Sequence, residues 1–310
     1  MAGQAQYLPA DHAGVGLARK IGMDAALARL AASRSHRGVI VSLDADCHVA
    51  PNYLTAVEQY FRATPDAVGA TIYFEHPLNE TPAATRGAII DYELHLRCYR
   101  HGLEFAGSAY AFHKVGSAFA VRSEIYAQEG GMNRRPAGED FYFINKLLKR
   151  GTVGQINNTT VYPSARISDR VPFGTGAALQ RSSDKPVTTY APAVYRELQA
   201  FHGVLEALVR DEAPVPPGYA PFLEAMAFDT WFAKTRANVA SAQSLAAQLG
   251  RWLDSFRTMK FIHWLTETGY PRVPAADAAA ELLGWTGLNP AGDALGMLEQ
   301  FRQLERKVGE

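Results

Sequence analysis

"VIVSLDADCHVAPNYL", residues 39–54, sets two aspartates one residue apart directly after an apolar, β-branched run. Such a run, apolar on both faces, reads as a central strand of a parallel, helix-covered sheet, predicted over Val39–Leu43. Asp44 and Asp46 then fall at its carboxyl end, the edge at which open α/β sheets bind ligands. Two carboxylates this close repel each other unless a cation compensates them. Oxygen ligands suit Mg²⁺ or Mn²⁺, and such an ion keeps positions open for phosphate oxygens. The bland alternative is that Asp46 caps the helix starting near Pro51 while Asp44 is solvated. The tripeptide alone leaves these two readings level.

Upstream, "GVGLARKIGMDAALARLAAS" carries Leu17, Ile21, Ala25 and Ala28 at helical spacing, leaving Arg19, Lys20 and Arg29 for other faces. Downstream, "PNYLTAVEQYFRATP" predicts a helix with Pro51 in its first turn and a buried stripe of Leu54, Val57 and Phe61. "AVGATIYFEHPL" predicts a strand and "ATRGAIIDYELHLRCYRHGL" a helix. "AFHKVGSAFAVRSEIYAQEGG" predicts a strand and a short helix closed by glycine. "GEDFYFINKLLKRG" has acidic residues at its start, basic ones near its end and Gly151 as a stop, all favourable to a helix. "TVGQINNTTVYPSARISDR" predicts a further strand.

From about residue 190 the pattern turns to long amphipathic helices, with Val194, Leu198, Phe201, Leu205 and Leu208 on one face of the first. The proline cluster in "APVPPGYAP" marks a loop. The division expected is an α/β portion over 1–185 and a helical portion over 186–310.

Composition narrows the function classes. Hydrophobic residues make up 47% of the 310, which a folded chain requires. Lys plus Arg and Asp plus Glu both number 31, so no general field favours nucleic acid or an anionic membrane. Two cysteines, Cys47 and Cys98, exclude a disulfide framework and a four-thiolate zinc site. A reducing, cytoplasmic setting is expected, peripheral to a membrane at most. No stretch reaches the roughly 18 apolar residues of a membrane span, and the opening has no signal-peptide pattern.

A second acidic pair, Glu139–Asp140, follows the Gly130–Gly131 turn and opens a helix whose positive end favours ionised carboxylates. An ionised carboxylate in a cleft can take the proton of a sugar hydroxyl as that hydroxyl attacks an activated carbon. Plain helix-start acidity is the competing explanation. Further on, Arg166, Arg170 and Arg181 flank a Gly-Thr-Gly turn that could bind diphosphate, or sit as solvated arginines on a surface loop.

Taken in order, "GVGLARKIGMDAAL", "SLDADC", "VGSAFAVRSEIYAQEGGM" and "GEDFYFINKLLKRG" resemble the family 2 glycosyltransferases of the GT-A fold, over about residues 14–175. That resemblance implies a Rossmann-like mixed sheet with flanking helices, followed here by a mainly helical C-terminal portion. It implies Asp46 as metal ligand, Asp44 near the ribose or the metal, Asp140 as catalytic base with Glu139 beside it at the acceptor, and Arg19 as the family's arginine. Arg166 and Arg170 fall among the basic groups that would meet the diphosphate. Lys20 stands where the family has asparagine. The implied partners are a nucleotide-sugar donor, a hydroxyl acceptor and a Mn²⁺ or Mg²⁺ ion.

The family's opening strand, Pro-x-x-Asn-Glu-like turn and second strand have no counterpart before residue 14. Weak activity is therefore expected from these residues alone, unless another segment or subunit completes the site. A processive synthase is not expected, since the Gln-x-x-Arg-Trp pattern is lacking. Two other functions compete: a non-catalytic transferase-like binding protein, and a haloacid-dehalogenase-type phosphohydrolase. The latter favours threonine or valine where His48 stands. Asp91 with His95 and Glu93 with Arg97 read as helix-surface pairs. His76 and His113 read either as acceptor contacts or as satisfied structural histidines. Trp231, Trp252, Trp264 and Trp285 read as core, and Cys47 as packing.

Overall fold

The computed structural model describes residues 14–34, 37–166, 174–176, 187–210 and 214–307. Five strands, β1 (Val39–Ser42), β2 (His48–Val49), β3 (Gly69–Phe74), β4 (Phe119–Arg122) and β5 (Val153–Tyr162), form one mixed sheet in the order β1-β4-β3-β5-β2. Helices α1 (Val15–Ala32), α2 (Tyr53–Ala63), α3 (Ala83–Phe105), α4 (Ser123–Gln128) and α5 (Glu139–Arg150) alternate with them. After a short β6 (Thr188–Thr189) come α6 (Ala193–Arg210), α7 (Ala220–Ala225), α8 (Phe228–Asn238), α9 (Ala242–Trp252) and α10 (Ser255–Thr268). Then follow β7 (Val273–Pro274), α11 (Ala275–Trp285) and α12 (Ala294–Lys307). The chain is thus α/β, with a mainly helical C-terminal part.

The sheet is mixed, as the resemblance implied, and not the parallel one that the apolar run at 39–43 predicts by itself. β4 runs antiparallel to both β1 and β3, β3 runs parallel to β5, and β2 runs antiparallel to β5. β1 is therefore an edge strand, not a central one. Its burial alternates, with Ile40 and Ser42 inside and Val39 and Val41 half-buried, while Leu43 just beyond is 41% exposed. β-Branched residues satisfy either environment, so the run VIV does not separate them.

Directions follow from these pairings. β1, β3 and β5 all point the same way, and the chain passes from one edge strand to the other between Ser42 and His48. That passage carries Asp44 and Asp46. The segments leaving β3 and β5, and the one entering β4, meet the same sheet edge.

By contacts the chain divides into two units. One holds the residues through Leu94, Phe112–Val187 and the chain from Ala291; the other holds His95–Ala111 and Thr188–Pro290. Helix α12 is counted with the sheet unit. In the first unit Met23, Ile40, Phe119, Val121, Phe143 and Leu147 form the core between the sheet and α1, α4 and α5. Arg122, 6% exposed, ties α2 to the sheet by donating to the carbonyls of Phe61 (2.9 Å) and Ala67 (2.9 Å). Side-chain donation of this kind satisfies carbonyls that the helix end leaves without partners.

Two amphipathic stripes differ from expectation. In α2 the buried side chains are Tyr53, Ala56, Val57 and Phe61, and Leu54 is 71% exposed. In α1 they are Gly16 and Met23, with Ala26, Leu27 and Leu30 packed alongside, whereas Ile21 is 49% exposed. The inward face of α1 is the one that carries Arg19.

In the second unit, Phe201 of α6 stacks on Phe261 of α10 at 4.6 Å, and Trp252 is buried beside Phe228 and Phe222. His95, expected on a helix surface, hydrogen-bonds Thr189 Oγ1 through Nδ1 at 2.8 Å, and burial pushes its pKa down to about 4. The unfolded chain takes up that proton near the ordinary value of 6.5. The stability due to neutral His95 is therefore full above about pH 6.5 and lost as the pH falls toward 4. Thermal unfolding of His95→Gln across this range should show a shallower acid loss than the unsubstituted chain. Equal slopes would mean that His95 does not titrate differently in the folded state.

Candidate functional site

The site is built around Arg19. Its guanidinium, with a side chain 7% exposed, pairs through Nη2 with Asp44 Oδ1 at 2.5 Å and through Nη1 with the Glu139 carboxylate. Glu139 is 2% exposed. A buried carboxylate needs a charged partner, and Arg19 supplies it. One cation thus joins the turn after β1 to the first residue of α5.

Two glycines make room for this. A Cβ on Gly16 would collide with the Arg135 backbone, so glycine lets α1 lie directly on the loop that leads into α5. A Cβ on Gly116 would stand 2.5 Å from Arg19 Nη1 and 2.7 Å from Cζ, so any larger residue there would require the guanidinium to shift. Ser42 Oγ fixes the same loop by donating to the Gly116 carbonyl at 2.6 Å. Asn133 Nδ2 donates to the Glu139 carbonyl at 2.9 Å and holds the turn ahead of α5.

Asp140 lies beside this ion pair. Its carboxylate accepts from the Phe141 N–H at 2.7 Å and from the Gly116 N–H. Burial raises its pKa above the ordinary carboxylate value, and the Asp44 charge adds to the rise. The Arg19 charge and the two backbone donors oppose it. Lys114 shares the site: burial lowers its pKa to about 8, while Asp140 pulls it up, and its ammonium lies 5.3 Å from the centre of the Phe141 ring. Sequence reading missed Lys114 and Gly116. The only local signal for Lys114 was a single lysine in an otherwise apolar approach to a strand.

Asp46 faces differently, pairing with Arg166 at 2.6 Å, with both side chains partly exposed. It does not cap α2, whose N-cap residue is Asn52. Cys47 is half-buried, and its N–H closes a turn onto the Asp44 carbonyl at 3.0 Å. Desolvation raises the Cys47 thiol pKa, so it is not an activated nucleophile. Lys20 is engaged locally with Asp24 at 2.9 Å. Arg170 and Arg181 lie outside the described residues.

The structure therefore brings Arg19, Asp44, Glu139 and Asp140 together and sets Asp46, on the same turn as Asp44, against Arg166 from the segment after β5. Glu139 is turned inward onto Arg19. Among the described residues no three His, Cys, Asp or Glu side chains group as a metal cage. Two carboxylates on one turn are nonetheless a sufficient protein share for Mg²⁺ or Mn²⁺ where a bound phosphate and water supply the other ligands.

The histidines resolve otherwise. His76, 1% exposed, bonds Glu93 through Nδ1 at 2.8 Å and Thr175 through Nε2 at 3.2 Å. His113 bonds Glu305 at 3.0 Å. Both are satisfied interior groups. Glu93 and Arg97, expected on a helix surface, are fully buried, and Glu93 is paired with Arg302 at 2.9 Å. Those partners lie too far along the chain for helical spacing to reveal them.

No family model, no curated protein and no solved structure matches this chain. Among the described residues no helix is long and apolar enough to cross a membrane.

The Arg19–Glu139 pair gives a direct stability test. Arg19→Leu should cost roughly 3–5 kcal/mol in urea unfolding, because Glu139 is left as an uncompensated buried charge. Adding Glu139→Gln should restore most of that loss. A double variant as unstable as the single one would show that the guanidinium acts through packing.

Proposed function

We propose that the chain is an inverting glycosyltransferase that moves a sugar from a nucleotide-sugar donor to a hydroxyl acceptor. The observation that carries this reading is Arg19, which draws the Asp-x-Asp turn and the Glu-Asp helix start, far apart in sequence, to one sheet edge beside Asp140. The resemblance to the GT-A transferases supports the same assignment of roles.

In this mechanism Asp140 takes the acceptor proton while the hydroxyl oxygen attacks the anomeric carbon. The new C–O bond forms as the bond from that carbon to the diphosphate oxygen breaks, so the configuration inverts. A carboxylate whose pKa is raised by burial is a stronger base than an exposed one. Arg19 and Glu139 hold the Asp44 turn in place. Asp46, with Asp44 nearby, would hold a Mn²⁺ or Mg²⁺ ion. That ion would stabilise the charge developing on the departing diphosphate. Arg166, already beside Asp46, is placed to meet the same phosphates.

Calorimetric titration of UDP and GDP, with and without Mn²⁺, tests the donor half. Binding should need the metal and weaken at least about tenfold in Asp46→Ala, equivalent to about 1.4 kcal/mol. Absence of nucleotide binding under every condition, or turnover of an aryl phosphate, would overturn the reading.

Asp140 tests the acceptor half. Asp140→Asn should lower kcat by about 10²–10⁴-fold and leave nucleotide affinity intact. In the unsubstituted chain kcat/KM should fall as acid protonates Asp140, with a midpoint above the ordinary 3.8. An unchanged kcat in Asp140→Asn would remove it as the base.

A further inference from the structure

A concave feature lies within the sheet unit, lined by groups that no step above uses. It has a volume of about 650 Å³ and is walled by the start of β2, the segment after β3, the end of β5 and helix α12. That volume falls in the range of clefts that hold small organic ligands, about 300–1,000 Å³. His48, which lines it, is two residues from Asp46.

The cavity has a definite polarity. Three glutamates line it: Glu80 is exposed, and Glu75 and Glu299 are each paired with an arginine through one oxygen. Glu75 Oε2 accepts from Arg306 at 2.8 Å and from Tyr73 at 2.9 Å; Glu299 Oε1 accepts from Arg302 at 2.9 Å. Among the described residues the other oxygen of each accepts no hydrogen bond. Arg302, 6% exposed, is committed as well, donating to Glu93, Glu299 and the His76 carbonyl. It is not available to an anion.

Two donors line the same cavity. Asn79 is exposed, and Arg86 is exposed with one N–H given to the Thr81 carbonyl at 3.1 Å. Pro77, Leu78, Leu295 and Tyr162 supply apolar wall, and Leu295 is 43% exposed.

Carboxylate oxygens whose charge is already compensated accept hydrogen bonds without demanding a cation. Donor side chains alongside, and an apolar wall, complete a surface suited to a ligand with hydroxyls around its rim and C–H groups on its face. We infer that this cavity binds a neutral saccharide. Helix α12 links it to the site around Arg19: Glu305 on the same helix bonds His113, the chain neighbour of Lys114. The identification of this saccharide as the transferase acceptor rests on the function proposed above. The ligand class itself does not.

Saturation-transfer NMR tests this with the full 310-residue chain. The probes are maltotriose, cellotriose, chitotriose and mannotriose, with spermidine and inorganic triphosphate as charged comparisons. Transfer to at least one trisaccharide is expected, reduced about tenfold or more in Glu299→Arg and in Leu295→Asp. Both positions are half-exposed on α12, and circular dichroism should show both variants folded. The Mn²⁺–UDP titration on the same variants should be unchanged.

Transfer to none of the four sugars, transfer that survives both substitutions, or tighter binding of spermidine or triphosphate overturns the inference. Nucleotide binding without sugar binding would remove the cavity and leave the transferase reading standing. Sugar binding at α12 without nucleotide binding would do the reverse.

Discussion

A single guanidinium organises the sheet edge of this protein. Glu139 is buried at the start of α5, and its charge is tolerable only because Arg19 of α1 lies against it. The same cation reaches Asp44, so three segments widely separated in sequence are held to one another by one side chain. The bond requires α1 to approach closely on one side and the loop before β4 on the other. Gly16 and Gly116 meet those requirements by having no Cβ to place there.

The topology explains why the chemistry gathers at that edge. Strands β1, β3 and β5 run in one direction, and β4 enters from the opposite end beside them. The turn after β1 and the approach to β4 therefore converge, and α5, which packs back along the sheet before β5, presents its first residues there. Asp140 and Lys114 meet as a result. Burial raises the pKa of the first and lowers that of the second, while the Asp140 charge favours the ionised form of Lys114.

The two acidic regions of the sheet unit are tuned differently. Around Asp140 the carboxylates are crowded, and burial together with the Asp44 charge raises its pKa against the pull of Arg19. Along α12, Glu305 is buried against His113, while Arg302 pairs with the buried Glu93 and the half-exposed Glu299. The same residue types thus sit in two settings, distinguished by the charges that lie against them.

Local chemistry was enough to read much of this from the chain alone. The strands at 69–74 and 153–162, the helix opening at Glu139 and its stop at Gly151 follow from β-branching, terminal charge and glycine. The Asp44–Asp46 turn and the Glu139–Asp140 helix start were equally visible. Tertiary structure alone decided that β1 is an edge strand, that Arg19 faces inward, that Glu93 and His76 are interior, and that α12 belongs with the sheet. The reason is physical. Hydrophobic periodicity assigns every charged side chain to solvent, whereas a charge goes inside when a distant partner cancels it, and no local spacing records who that partner is.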